Sequence, residues 1–302
     1  MEWDFTSKTI ESWSDLDNLD IDQELYLFRG QSKYCWDLET TIERAFHRNS
    51  VDRTFYINHE HWMLYEFKRR AHLYLSYEPD QDDLISWFAQ MQHFGAPTRL
   101  LDFTHSLYIA SYFALINGND NAAIWGIREP WIRNSSIKYA SKFQDKLNFS
   151  ELDFEDLSSY GLRDDQIRYS NNFGNSYIKQ IHKDHKPGQV DTDGSCLNGL
   201  LMVEPNKQIE RLAKQQGVFL MPLDIRKTFQ ENLVNQFLNT YSAESNKRVK
   251  NVVIKILIKK EARDEILEKL KEINITAELL FPGIEGFAKS LEHLVMVRSR
   301  ET

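Results

Sequence analysis

The sequence is poor in cysteine, glycine and proline and has no long apolar run. Of its 302 residues only Cys35 and Cys196 are cysteines, and neither sits in a Cys-x-x-Cys pair. That excludes a disulfide framework and a cysteine-built zinc site. No apolar stretch approaches the ~20 residues needed to span a bilayer. The acidic opening MEWDFTSKTIESWSDLD has neither the basic nor the apolar region of a signal peptide. A cytoplasmic protein without membrane contact is expected. Gly-x-Gly-x-x-Gly, Walker and Gly-x-Ser-x-Gly patterns are all missing, so those nucleotide-binding and serine-hydrolase classes have no motif support. His59 and His61 are two residues apart and would point to different sides of a helix. His182 and His185 lie in a polar tract without acidic or cysteine partners at ligand spacing, so no metal is expected. The formal charge of −8 argues against extended duplex DNA binding, although a local basic groove is compatible with it.

What is present is ordinary globular chemistry: 41% hydrophobic and 27% charged residues, with a high aromatic share of 13%. The length allows one large domain or two small ones. The spacing predicts a short amphipathic helix over 8–19 and a strand at 24–30, ELYLFRG. Helices follow over 38–48, 56–75 and 82–92, the last closed by Gly95. Thr98 to Phe103 reads as a short strand leading into a helix from Thr104, capped by Asp102 or Thr104. Ala110, Ser111 and Ala114 along that helix permit close packing. Strands are expected at 121–127, within 199–205 and 218–223, and at 251–258, with helices over 206–216, 260–273 and 284–297. Residues 129–198 are polar and interrupted, and read as a long insertion with some helix. The whole is an α/β (α+β) chain with a mixed central sheet and flanking helices.

Two places break the apolar pattern. Arg29 ends a strand of Leu25, Tyr26, Leu27 and Phe28, and a guanidinium there must be paired or face an anion. Its bland alternative is an ion pair to Asp102. The second place packs His93, Gly95, Thr98, Arg99, Asp102 and Thr104 into twelve residues before a helix start, where free N–H groups favour an anion. Here the bland alternative is an Arg99–Asp102 pair with Thr104 as a simple cap. Arg211, one helical turn before Gln215, with Gln216 and Gly217, reads by default as surface helix.

The strings LYLFRGQ, QHFGAPTRLLDFTHSLYIASYFAL, PNKQIERLAKQQGVFL and ELLFPGIEGFAKSL, in that order, resemble the FRG domain, named for its Phe-Arg-Gly motif. The resemblance spans about 22–295. It implies a single FRG-type domain over 1–302, with a core of about 22–128 and 199–295 and the insertion at 129–198. FRG proteins are mostly bacterial and phage proteins, some found in anti-phage defence settings. The family is similar to the ADP-ribosyltransferase fold, which implies an ADP-ribosyltransferase-like core. Phe28-Arg29 would be its first element, and Thr104-His105-Ser106 with the Ala110–Ala114 helix its second. The third, a Gln-x-Glu or Glu-x-Glu strand, has no clear counterpart. Glu204, Glu210 and Gln216 are the candidates for the group that steadies the oxocarbenium-like transition state.

Carried over by residue, Arg29, Thr104, Glu204 and Gln216 would serve the chemistry. Phe28, Arg29, Gly30, Gln31, His93, Thr98, Arg99, Asp102, Ser106 and Arg211 would hold the nucleotide. Tyr108, Phe113 or Trp36 would stack on a ring. The implied ligand is NAD, as a substrate and without a metal. Two functional classes stand: an ADP-ribosyltransferase-like or NAD-cleaving effector, and a non-enzymatic module that binds a nucleotide or, through 129–198, a protein.

Overall fold

A computed structural model describes residues 6–143, 163–184, 197–207, 209–243 and 251–291. Its centre is a seven-stranded mixed sheet: β1 (Thr6–Ile10), β2 (Tyr26–Gln31), β3 (Leu101–Thr104), β4 (Ala122–Arg128), β5 (Leu200–Val203), β6 (Gly217–Pro222) and β7 (Val253–Ile258), in the order β1-β7-β4-β2-β3-β6-β5. Only β1 and β7 run parallel. The flanking helices are α1 (Trp13–Asp17), α2 (Thr41–Arg48), α3 (Tyr56–Ala71), α4 (Leu84–His93), α5 (Leu107–Leu115), α6 (Glu129–Phe143), α7 (Arg163–Asp184), α8 (Glu210–Lys214), α9 (Phe229–Ala243), α10 (Arg263–Glu272), α11 (Ala277–Leu280) and α12 (Ile284–Ser290). The expected mixed α/β sheet with flanking helices is therefore found.

Strand alternation sorts the core into three clusters. One sheet face carries Leu27, Leu101, Phe103, Trp125, Val218 and Leu220, covered by α6 and α9. The other face is covered twice. At the β1-β7-β4-β2 end, Phe28, Ile124 and Ile256 pack under α5 and α10. At the β6-β5 end, Phe219, Met221 and Leu201 pack under α3, α4 and α7. The seam between these two covers runs over β2 and β3, so a cleft on this face has its natural place there.

Three local differences have physical causes. Residues 8–19 are not one helix: Thr6–Ile10 extends along β7 and Ser12 then caps the five-residue α1. The parallel partner is 248 residues away, beyond any local periodicity. Neither Asp102 nor Thr104 caps α5. Ser106 does, its hydroxyl accepting from the Ile109 N–H at 3.2 Å. The segment 129–198 supplies α6 and α7, whose Ile132, Tyr169, Phe173, Tyr177 and Ile178 are buried in the core. His182 lies on α7, buried, not in a loop. Cys196 and His185 fall outside the described residues.

Candidate functional site

The sheet is open at its middle. β2 and β3 share one register pair, Phe28 with Thr104, whereas β2 and β4 pair along six residues. Past that pair the two strands part. Arg29 bridges the opening: its Nη1 donates to the Asp102 main-chain oxygen at 2.8 Å, and the Asp102 carboxylate stands 3.8 Å away. The Arg29 side chain is only 18% exposed, and its Nε is buried without a partner among the described residues. Burial draws the guanidinium below its ordinary pKa, Asp102 opposes this, and Arg44 adds to it. Over the opening lies a cavity of about 360 Å³, walled by α4, α5 and the α8–β6 turn.

Glycine decides how close the wall comes. A Cβ on Gly30 would lie 2.0 Å from the Ala110 oxygen and 2.6 Å from the Ala114 nitrogen, so α5 rests on the β2 backbone as the small residues suggested. Thr104 is buried. Its hydroxyl donates to the Gln215 oxygen at 2.7 Å and accepts from the Ser106 N–H at 3.1 Å, fixing the strand end to the α8–β6 turn.

Charge in this cavity is mostly positive. Arg211 reaches it with its guanidinium 4.6 Å over the Phe281 ring and makes no hydrogen bond or ion pair with a described residue. His93, at the end of α4, also lines it. Burial lowers the His93 pKa, Arg211 lowers it further, and Glu285 opposes. Among the described residues the one carboxylate in the wall is Asp102, which accepts from Gln92 Nε2 at 2.8 Å. Arg29 and Arg211 lining a cavity whose one carboxylate among the described residues already accepts from Gln92 make it anion-accepting.

The other named residues part company here. Phe28, Arg29, Gly30, His93, Asp102, Thr104 and Arg211 line the cavity together. Gln31 does not: it accepts from Trp125 Nε1 at 2.8 Å and donates to the Asp37 oxygen at 2.9 Å. Thr98 lies beside the wall, its hydroxyl on Gln92 and its N–H on Thr41 Oγ1. Arg99 is fully buried and pairs with Glu60, not Asp102. It also donates to the Pro222 and Leu223 oxygens at 3.3 Å, which leaves it a structural cation. Ser106 is spent on capping α5. Of the proposed ring-stackers, Phe113 lines the cavity. Tyr108 is held by Asp17 at 2.7 Å and stacks on Trp13, and Trp36 is on the surface.

Glu204 and Gln216 meet in an adjoining pocket of about 400 Å³ that shares Leu212 and Gly217 with the first. Sequence reasoning named His105 only as part of the second element and missed Glu129 and Arg163. Arg163 Nε donates to Glu129 at 3.0 Å, and Nη2 donates to Glu204 at 2.6 Å. His105 Nδ1 is 3.5 Å from Glu129 and its Nε2 is 3.1 Å from Arg163. Burial disfavours the Arg163 charge, but the two carboxylates outweigh it and raise its pKa. Burial keeps His105 below its ordinary value, against Glu129. The residues come from β3–α5, α6, α7 and β5, so only their charge within apolar stretches hinted at them.

The family model of the FRG domain matches residues 24–123. The chain carries an FRG domain. That span holds Arg29, His93, Asp102 and Thr104 but ends before Glu129, Glu204 and Arg211. The FRG segment thus supplies the Arg29 half of the cleft, and later residues close it. Among curated proteins and solved structures no match was found.

Proposed function

We propose that the cavity over the β2–β3 opening binds a nucleotide diphosphate and that the protein cleaves NAD there. The observation carrying this is that the largely enclosed Arg29 and Arg211, which has no hydrogen bond or ion pair among the described residues, line one cavity. A diphosphate fills both sets of donors, and an Arg fork matches phosphate oxygens in two-point fashion. His93 and Phe113 offer ring contacts for a base. Glu204, in the adjoining pocket, is the carboxylate assigned to the nicotinamide ribose. Water adds at the anomeric carbon as the nicotinamide–ribose bond breaks, giving ADP-ribose, nicotinamide and a proton. A carboxylate near that carbon stabilises the developing positive charge. An ADP-ribosyltransferase replaces the water with a nucleophile of the target.

One observation favours a non-enzymatic reading: Glu129 and Glu204 are both engaged by Arg163, so the cleft binds a nucleotide without turning it over. Incubating the purified chain with NAD and following nicotinamide by chromatography separates the two. Release abolished by Arg29→Ala supports the enzyme. Stabilisation of the fold by ADP-ribose without release supports the binding module. Neither release nor stabilisation overturns both.

A further inference from the structure

A second groove lies between α3, α4 and α7, sharing no residue with the Arg29 cavity. It encloses about 660 Å³ and presents Lys68, Arg69, Lys179 and Lys183, with Asp82 as the one lining carboxylate among the described residues. Lys68 donates to the Gln81 oxygen at 2.7 Å and lies over the Trp87 ring; the other cations are weakly held. Lys183 has no ion pair among the described residues. Lys179 pairs at 2.8 Å with an Asp82 that is 88% exposed. Arg69 shares Glu66 with Arg70 on the outer side of α3. Surface pairs of this kind give up their partners readily. On a chain whose net charge is −8, this is a local concentration of the opposite sign.

The same edge leaves aromatic rings in solvent. Trp62 and Tyr65 lie three residues apart on α3, 63% and 56% exposed, and Tyr65 lines the groove. Positions i and i+3 share a helix face, so both rings stand on one side of α3, with Tyr65 at the groove. We propose that this groove and these rings bind single-stranded nucleic acid, with phosphates on Lys68, Lys179 and Lys183 and unpaired bases stacked on Tyr65 and Trp62. Stacked rings beside backbone-tracking cations are the recurrent way to hold a strand without reading its sequence. A duplex hides its base faces, and its charge density would meet the acidic remainder of the surface. His61 and His182, edge to face at 4.9 Å, close the floor, and Glu60 holds His182 at 3.0 Å.

Fluorescence anisotropy of a labelled oligouridylate of about 12 nucleotides, titrated with the whole chain at several salt concentrations, tests this. Binding is expected to weaken linearly on a log–log salt plot. The double variant Lys179→Gln/Lys183→Gln should weaken it about tenfold and flatten the slope by about 1.4, two phosphate contacts at ~0.7 each. Tyr65→Ala should weaken it about tenfold with the slope unchanged. Arg29→Ala should bind as the parent does, which keeps this result separate from that of the NAD cleft. No anisotropy change at low salt, or parental binding by both variants, overturns the proposal. So does competition by polyglutamate as effective as by unlabelled oligonucleotide, which would mark an acidic polypeptide as the partner.

Discussion

Arg29 donates to the main-chain oxygen of Asp102 at 2.8 Å and not to its carboxylate, which stands 3.8 Å away and accepts from Gln92. The guanidinium therefore fills the place of missing sheet hydrogen bonds between β2 and β3 while keeping donors free for the cavity.

Replacing Arg29 separates those two roles. Arg29→Ala strips the exposed Asp102 carbonyl of its donor, a bond whose net contribution is about 0.5–1.5 kcal/mol. Urea unfolding should show that modest loss, with the protein still folded. Stabilisation by ADP-ribose should vanish in the same variant. Arg29→Lys, with one point charge and no fork, should retain much of the stability and little of the ligand effect. A loss of about 3–5 kcal/mol with ligand stabilisation intact would make Arg29 structural only.

Acid should unfold the protein through the Glu60–Arg99–His182 cluster. Burial opposes ionisation of Glu60, but Arg99 and His182 draw its carboxyl from 4.5 down to about 2. A depressed carboxyl stabilises above its unfolded value and loses that contribution as pH falls towards the folded value. The window here is thus about 4.5 to 2, and the contribution is on the order of 3 kcal/mol. His182 acts in the same direction at higher pH. Burial lowers its pKa, Glu60 opposing, so the folded state resists its protonation and stability already declines below the ordinary histidine value of 6.5. Urea midpoints at pH 7, 5, 4 and 3 should fall in these two stages. Glu60→Gln should cost about 3–5 kcal/mol at pH 7 and flatten the lower stage.

The cluster also shows what the sequence could and could not disclose. Arg29 and the polar run from His93 to Thr104 were legible as local breaks in an apolar pattern, and the small residues after Thr104 as a close-packing helix, whereas Arg211 read by itself as surface helix and entered only through the family resemblance. Their convergence on one cavity follows from the order β4-β2-β3-β6, in which chain neighbours are not always sheet neighbours. The partner of Arg99 was not legible. Glu60 sits 39 residues earlier on a helix whose other charges face water, and Asp102 was the nearer choice in sequence. β1 was hidden for the same reason. The helix Phe229–Ala243 was not anticipated, although Phe229 and Leu233 are fully buried against the sheet, because its polar residues dilute the apolar period.

Gly30 and Gly95 should respond in opposite ways to alanine. Gly30→Ala puts a methyl 2.0 Å from the Ala110 oxygen, where backbone must move, and should cost about 3 kcal/mol or more. Gly95 has φ +83° but open space around its Cβ position, so Gly95→Ala should cost only the left-handed penalty of about 1–2 kcal/mol. Denaturant midpoints measure both. Equal costs would show that α5 is less tightly seated on β2 than these distances imply.

Arg163 bridges Glu129 and Glu204, and this sets the last expectation. If Glu204 serves the nicotinamide ribose, its charge must be available when the glycosidic bond breaks, and Arg163 pairs with it at 2.6 Å. Glu204→Gln keeps the shape and the main-chain bonds to Asn171 but removes the charge. Nicotinamide release should then fall about 100-fold or more, the scale of losing one electrostatic stabiliser, while ADP-ribose still raises the melting temperature as in the parent. Glu129→Gln, which loosens Arg163 without touching the shared wall of Leu212 and Gly217, should reduce release less. The reverse order would move the chemistry to Glu129 and His105. Unchanged release in both variants would remove the adjoining pocket from the reaction and leave the Arg29 cleft as its sole seat.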